Sequence, residues 1–189
     1  MKKLLVIFLI LTSFSVAENF YENLSKAAIL RLESDVTYDG KYLKIDYPNG
    51  DVPQNIGVCT DLVIRSYRTL GIDLQKEVHE DMKSNFEKYP KRWGLTRTDT
   101  NIDHRRVPNL RRFFERKGTS LGVSKSPKNY KRGDLVTWNV QNLPHIGIVS
   151  HLKSKKTKNP LIVHNIGRGP ELEDFLFNFP ITGHYRFTK

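Results

Sequence analysis

The stretch GVCTDLVIRSYRTLG, residues 57–71, decides the fold of this chain. From Cys59 onward its apolar side chains recur at helical spacing on one face, at Leu62, Val63, Tyr67 and Leu70. Gly71 follows the last of them, and glycine is the residue that most easily ends a helix in a left-handed conformation. The sequence therefore predicts a helix that begins at Cys59, which is the only cysteine of the chain.

Helical patterns lie before residue 118 and strand patterns after residue 133. Apolar periodicity predicts three further helices, over residues 20–34, 75–88 and 108–117. Runs rich in β-branched and aromatic residues predict four strands, at Leu135–Trp138, His145–Val149, Leu161–His164 and Tyr185–Phe187. Helices followed by an antiparallel sheet make an α+β fold. Without a linker or a repeat to divide them, residues 18–189 are expected to form a single domain.

The first 17 residues have the pattern of a secretory signal peptide. Lys2 and Lys3 precede the apolar run Leu4–Leu11, and Ser15-Val16-Ala17 is a small-x-small cleavage site. We expect cleavage after Ala17, an exported mature chain, periplasmic or secreted, and no stable membrane span after cleavage; the alternative is an uncleaved N-terminal anchor. A lone cysteine in an exported protein forms no internal disulfide, so Cys59 needs another explanation.

The charge of the chain favours an anionic partner in the cell envelope. The formal net charge is +11, and loss of Lys2 and Lys3 would leave the mature chain at +9. An exported basic protein meets cell-wall polymers and anionic lipid headgroups before it meets nucleic acid. We therefore predict that the partner is peptidoglycan or another anionic envelope polymer and not nucleic acid, and we expect a monomer. The alternative is that the basic residues lie in ordinary solvated loops.

Cys59 and His145 form a candidate pair of nucleophile and base. A thiol attacks as the thiolate, and both a helix N-terminus and a neighbouring histidine lower its pKa. The predicted helix places Cys59 at its start, and His145 would begin a strand after Pro144, with its ring free to accept the thiol proton. A lone histidine at a strand start is usually incidental, but pairing with the only cysteine favours a catalytic role.

A third polar residue is expected on the strand that follows His145. The two strands at 145–150 and 159–165 should form a hairpin, and residues that face each other across it share one face of the sheet. If residue 145 pairs with 164, His164 orients the imidazole; if it pairs with 165, Asn165 takes that place.

Two further polar motifs offer candidate substrate contacts. His79 and Asp81 lie in one, Asp103 to Arg106 in the other, and we expect them to bond to each other or to line the cleft and bind carboxylates. Their spacing matches no metal-binding pattern, so no metal is predicted. The candidate substrate-binding residues are Asp61, His79, Asp81, Asp103, His104, Arg105 and Arg106.

The chain also resembles a known group of proteins through a series of short motifs. These are YPNGDVP (47–53), GVCTDLVIRSYR (57–68), VHEDM (78–82), YPKRWGLTR (89–97), NIDHRRVPNL (101–110), GDLVTW (133–138), PHIGIVS (144–150), VHNIG (163–167) and ITGHYR (181–186). They are similar to the family catalogued as domain of unknown function 1287, within the superfamily of NlpC-type, papain-like cysteine peptidases.

That resemblance implies a fold and an activity. It implies a papain-like fold with the nucleophile at a helix start packed on an antiparallel sheet, Cys59 and His145 as catalytic residues, His164 as the third member and no cofactor. The expected function is hydrolysis of amide bonds in peptidoglycan stem peptides. The alternatives are a non-catalytic envelope-binding protein on the same fold and an acyl-transferring relative.

Overall fold

The computed structural model describes residues 19–189, so the predicted signal peptide lies outside the described residues. Residues 19–30 are helical and form α1. Three longer helices follow: α2 (Cys59–Thr69), α3 (Leu74–Ser84) and α4 (Val107–Lys117). The strands are β1 (Thr37–Tyr38), β2 (Ile56–Gly57), β3 (Thr119–Ser120), β4 (Leu135–Val140), β5 (Leu143–Lys153), β6 (Pro160–Asn165), β7 (Pro170–Glu173) and β8 (Ile181–Arg186). Short 3₁₀ turns lie at Arg31–Glu33, Phe86–Lys88, Asp103–Arg105 and Pro127–Asn129.

The α+β prediction is confirmed by this order of elements. Helix α2 begins at Cys59 as expected, and Gly71 has the left-handed φ of 79° that ends it. The predicted helix at 75–88 is shorter, because the chain leaves helical geometry at Asn85 (φ −141°) before the turn Phe86–Lys88. The four predicted strands are present as β4, β5, β6 and β8, whereas β3 and β7 were not predicted.

One six-stranded antiparallel sheet receives the helices on one face. Its strand order is β3-β8-β4-β5-β6-β7. Leu62 and Val63 of α2 pack in one core cluster with Ile146 and Ile148 of β5. The alternate side chains of β4, β5 and β6 point to the other face of the sheet. There Trp138, Val149 and Ile162 form a second apolar cluster with Phe175. Within residues 19–189, no helix is both long and apolar enough to span a bilayer.

A buried ion pair holds the start of α2. The Asp61 carboxylate accepts hydrogen bonds from Arg105 Nε at 2.8 Å and Nη2 at 3.0 Å, and from the backbone N–H of Val58 at 2.7 Å. Arg105 also donates from Nη1 to the Lys41 carbonyl at 3.0 Å, and its own carbonyl accepts from Thr60 Oγ1 at 3.1 Å. These contacts join the helix start to two loops that lie far away in sequence.

We predict that Asp61→Asn lowers the free energy of unfolding by about 3 kcal/mol, because an amide leaves the buried guanidinium without its counter-charge and turns an N–H toward another donor. Chemical denaturation measures the loss. Glu80→Gln on α3 is the matched control, since Glu80 is exposed, pairs with Lys76 at 4.0 Å and should cost less than about 0.5 kcal/mol. Equal losses for the two variants would contradict the role given to the Asp61–Arg105 pair.

Candidate active site

Cys59 lies where α2 meets the start of β5. Its side chain is buried, with 5% of the residue exposed. The backbone N–H groups of Ile146 and Thr60 lie near the sulfur and favour its charged form, although among the described residues none forms a well-aligned hydrogen bond with it. Because Ile146 directly follows His145, this contact brings the thiol to within one residue of His145 along β5.

The expected low pKa of the Cys59 thiol is wrong for this resting structure. Burial, with a smaller contribution from the nearby Asp61 carboxylate, raises the pKa to about 12. The backbone N–H groups around the sulfur favour the thiolate, but removal of the thiolate from water outweighs them. Cys59 therefore rests as a neutral thiol.

His145 and His164 contact each other directly on the sheet. His145 Nε2 lies 2.9 Å from His164 Nδ1, and the two rings meet edge to face at an interplanar angle of 78°. Burial lowers the pKa of His145 to about 3 and that of His164 to about 4. Both imidazoles are therefore neutral, and one of the two facing nitrogens carries the proton between them.

The strand register that produces this contact differs from both predicted registers. Ile148 pairs with Val163 and Val149 with Ile162, so a continuation of the ladder places residue 166 opposite His145. Direct opposition of His145 to His164 or to Asn165 is therefore wrong. His164 still shares a face with His145, because it lies two residues from the position opposite, and side chains alternate with a period of two.

Gly147 allows the two histidines to meet diagonally. A β-carbon at this position would lie 2.7 Å from Ile162 Cγ2 and 3.0 Å from His164 Cβ. Any larger residue would force β5 and β6 apart where His164 leans toward His145. The glycine in the PHIGIV motif therefore has a direct packing reason.

Asn165 points to the opposite face of β6. Its Nδ2 donates to the Gly57 carbonyl at 3.3 Å, and its Oδ1 accepts from the Gly167 N–H at 3.2 Å. The side chain thus ties β6 to the segment just before Cys59 and does not contact His145.

Glu173 continues the line of polar groups and was missed by the sequence analysis. Its Oε2 lies 3.0 Å from His164 Nε2, although among the described residues this nitrogen has no well-aligned hydrogen bond. Arg168 Nη2 lies 3.5 Å from the other oxygen of Glu173. The available signal was the alternation of Glu171 and Glu173 just after a glycine-containing turn, but β7 was not predicted as a partner of β6.

An open cleft of about 420 Å³ leads to Cys59. Its walls include Tyr38, Tyr42, Trp93, Arg105 and Arg106. Trp93 is 60% exposed, and the Arg106 guanidinium stacks over its ring at 4.7 Å. Arg106 Nη1 is buried yet has no hydrogen-bond partner within residues 19–189, so it is available to a ligand in the cleft.

Tyr38 brings a hydroxyl group to the same cleft. Burial raises the pKa of Tyr38 to about 12, and the neighbouring Cys59 raises it too. The phenol therefore keeps its proton near neutral pH and remains a hydrogen-bond donor. The sequence analysis did not single out Tyr38, because a tyrosine in a turn-rich stretch carries no distinctive signal.

Two of the seven candidate substrate-binding residues, Arg105 and Arg106, line the cleft. The structure gives the others internal roles. Asp61 binds Arg105, and His79 Nδ1 lies 3.2 Å from Asp103 Oδ2, which confirms the expected bonding between the two polar motifs.

The remaining two candidates, Asp81 and His104, are also buried. Asp81 binds Arg116 at 2.7 Å and Tyr89 at 2.7 Å, and burial lowers the pKa of His104 to about 3. Among residues 19–189, histidine, cysteine and carboxylate side chains do not gather in any group of three or more that could hold a metal ion.

The neutral state of Cys59 predicts a distinctive alkylation profile. With a pKa near 12, the thiolate fraction at pH 7 is roughly a thousandfold below that of a free thiol, so iodoacetamide should label the folded protein slowly. The rate should rise with pH from 6 to 9 without a plateau, and His145→Gln should leave this profile unchanged. Intact mass follows the labelling, with denatured protein as the control. A plateau below pH 7 that disappears in His145→Gln would instead reveal a thiolate–imidazolium pair.

Comparison with known proteins places the chain in a family. Its 158-residue match to the uncharacterized protein YijF of Escherichia coli (strain K12) is 50% identical and covers 83% of this chain and 77% of that protein.

Two crystal structures of an N-acetylmuramoyl-L-alanine amidase from Bacteroides uniformis ATCC 8492 are also similar. One has a TM-score of 0.50 and 17% identity, covering 89% of this chain and 99% of the other. The second has a TM-score of 0.47 and 16% identity, covering 87% and 96%. At such identities the likeness concerns the fold alone. Residues 25–187 match the model of the domain of unknown function DUF1287, and the chain belongs to that family.

Proposed function

We propose that this chain is an exported cysteine hydrolase of the NlpC-type, papain-like class that cleaves an amide bond in peptidoglycan stem peptides. The observation that carries the proposal is the 2.9 Å contact between His145 and His164 beside the start of α2, where Cys59 lies, although among the described residues no hydrogen bond joins the Cys59 sulfur to the His145 ring. A nucleophile, a base and a group that orients the base are the parts that such a hydrolysis needs.

The proposed first step uses the neutral forms of both groups. His164 occupies Nε2 of His145, which leaves Nδ1 to receive the Cys59 proton as the sulfur attacks the amide carbon; for this step the His145 ring, which packs on Trp138 and Phe175 in the resting structure, must turn toward the sulfur. The C–S bond forms, the C–N bond breaks, and His145 delivers the proton to the leaving amine. Water then attacks the thioester, with His145 as base, and releases the acid and the free thiol.

The developing oxyanion has donors at the same place. The first backbone N–H groups of α2 lack partners within the helix, and the protonated Tyr38 hydroxyl lies in the cleft beside Cys59. Donors aimed at the site where charge develops stabilise the transition state more than the ground state.

His164 and Glu173 are proposed to orient the base. If Glu173 accepts the proton on His164 Nε2, His164 Nδ1 must accept from His145 Nε2, and the tautomer of His145 is then set with Nδ1 free. The same carboxylate stabilises the imidazolium that forms during attack. Glu173 is thus a positioning residue that acts through His164.

The substrate assignment draws on the cleft and on the basic chain. Arg106 offers an unpartnered N–H to a carboxylate, and the exposed Trp93 ring offers a stacking surface. Stem peptides carry such carboxylates, and the fold is shared with a protein described as an N-acetylmuramoyl-L-alanine amidase. Export through a signal peptide cleaved after Ala17 would bring the enzyme to this substrate.

A non-catalytic envelope-binding protein is the second candidate, favoured by the burial and the raised pKa of Cys59. In that function the basic surface would hold the wall and the thiol would be structural. Hydrolysis and binding differ in whether covalent fragments are released, so one assay separates them.

The hydrolase proposal predicts release of soluble fragments from purified sacculi. The exported protein, with its expected start at Glu18 checked by intact mass, should release fragments that mass spectrometry identifies by the new termini. Cys59→Ala and His145→Gln should each lower the rate by about a thousandfold or more, because each removes a group used in bond formation. Both variants should remain folded by circular dichroism. Binding to sacculi without release by the unaltered protein would favour the second candidate.

The orienting residues predict a ranking of activities. His164→Ala should lower kcat at least about tenfold, whereas Asn165→Ala should affect stability more than kcat, because it contacts the Gly57 carbonyl and not His145.

Glu173→Gln should also lower kcat and move the acidic limb of the pH–rate profile to lower pH, since loss of a carboxylate lowers the pKa of the coupled imidazoles. Glu171→Gln on the same strand is the matched control, because Glu171 also pairs with Arg168 but, among the described residues, forms no ion pair with His164. An unshifted profile in Glu173→Gln would leave Glu173 with a structural role only.

A further inference from the structure

A second groove adjoins the active-site cleft. It has a volume of about 500 Å³ and lies between α4 and the β4–β5 hairpin. Pro108 and Pro144 line both cavities, and the loop that carries Trp93 at the cleft carries Arg92 at the groove. An extended ligand at Cys59 therefore has a continuous path into the groove.

Three arginines give this groove an excess of positive charge. Arg92, Arg111 and Arg112 line it, and Glu115 is the only acidic residue among the described lining residues. Arg111 is held in place by donation from Nη2 to the Thr182 carbonyl at 2.7 Å. Within residues 19–189, neither Arg92 nor Arg111 forms an ion pair with a carboxylate.

Arg112 is the member with unused hydrogen-bonding capacity. Its side chain is 43% exposed, and its Nη1 pairs with Glu115 Oε2 at 2.9 Å. Its Nε is buried and, among the described residues, has no partner. A planar guanidinium with a free N–H matches a carboxylate well, because the two groups can form charge-assisted hydrogen bonds in one plane.

We propose that the arginine groove, formed by Arg92, Arg111 and Arg112, is a second subsite that binds a carboxylate of an acidic peptide whose scissile amide lies at Cys59. The proposal rests on the proposed function and adds that the substrate carries acidic groups on both sides of the shared wall at Pro108 and Pro144, one for Arg106 and one for Arg112. The groove thereby selects peptides with free carboxylates over peptides whose carboxylates are amidated.

The remaining walls of the groove favour a peptide over a phosphate polymer. Asn139 and Asn142 supply amide groups suited to backbone N–H and C=O groups, and Pro90 adds an apolar surface. Glu115 lies inside the groove and would repel a dense polyanion, whereas a single carboxylate can bind Arg112 beside it.

The test measures peptide binding by the Cys59→Ala full chain, which needs no turnover. The probes are a synthetic stem peptide with free carboxylates and the same peptide with those carboxylates converted to carboxamides, each titrated by calorimetry. Arg112→Gln should weaken binding of the free-acid peptide by about tenfold to a hundredfold, the effect of a lost charge-assisted hydrogen bond. The amidated peptide should bind with equal affinity to the Cys59→Ala chain and to the Cys59→Ala chain that also carries Arg112→Gln. Lys128→Gln, the same loss of charge outside the groove, should change either affinity less than about twofold.

Three outcomes would overturn the proposal. The first is an unchanged affinity of Arg112→Gln for the free-acid peptide. The second is an equal loss of affinity for both peptides, and the third is a failure of both peptides to bind. Vesicles of phosphatidylglycerol provide a further arm, and Arg112-dependent vesicle binding without Arg112-dependent peptide binding would assign the groove to lipid phosphate instead. Fragment release from sacculi tests the hydrolase separately, so loss of one proposal does not conceal the state of the other.

Discussion

The carboxylate of Asp61 accepts hydrogen bonds from Arg105 Nε, Arg105 Nη2 and the Val58 N–H, in a buried position beneath the start of α2. A guanidinium and a carboxylate that leave water must satisfy each other, since either one alone would be a costly buried charge. The pair therefore constrains where the helix start can lie. It also fixes Arg105, whose neighbour Arg106 lines the cleft and whose hydrogen bond to the Lys41 carbonyl holds the loop between the lining residues Gly40 and Tyr42. Thus one ion pair couples the thiol to the surface that would receive substrate.

The sheet supplies an independent constraint through the close approach of β5 and β6. Gly147 leaves room for His164 to lean toward His145, and Trp138 and Phe175 pack against the histidine rings. This apolar surrounding lowers the pKa of both imidazoles, so the resting site holds neutral groups in a fixed geometry. Charge would develop only during attack, when Glu173 and the donors at the helix start can stabilise it.

The basic groups of the protein are arranged around this neutral centre and not within it. Arg106 at the cleft and Arg112 at the adjoining groove each retain a buried N–H without a partner in the described part of the chain. Buried donors without partners are uncommon in proteins, because each one loses a hydrogen bond to water. A ligand with carboxylates would remove this cost at both places, which connects the net charge of the sequence to specific positions in the fold.

The sequence alone determined the local features. Helix α2 and its start at Cys59, the four principal strands and the α+β class follow from apolar spacing and from Gly71, since these signals depend on neighbours within a few residues. The motif with His145, Gly147 and His164 was visible as well. Tertiary structure alone decided the register of β5 against β6, the contact of His164 with Glu173, and the burial that leaves Cys59 a neutral thiol. These properties depend on how separate elements pack, because a pKa follows from the water that packing removes, and a diagonal contact follows from a strand pairing that local periodicity does not specify.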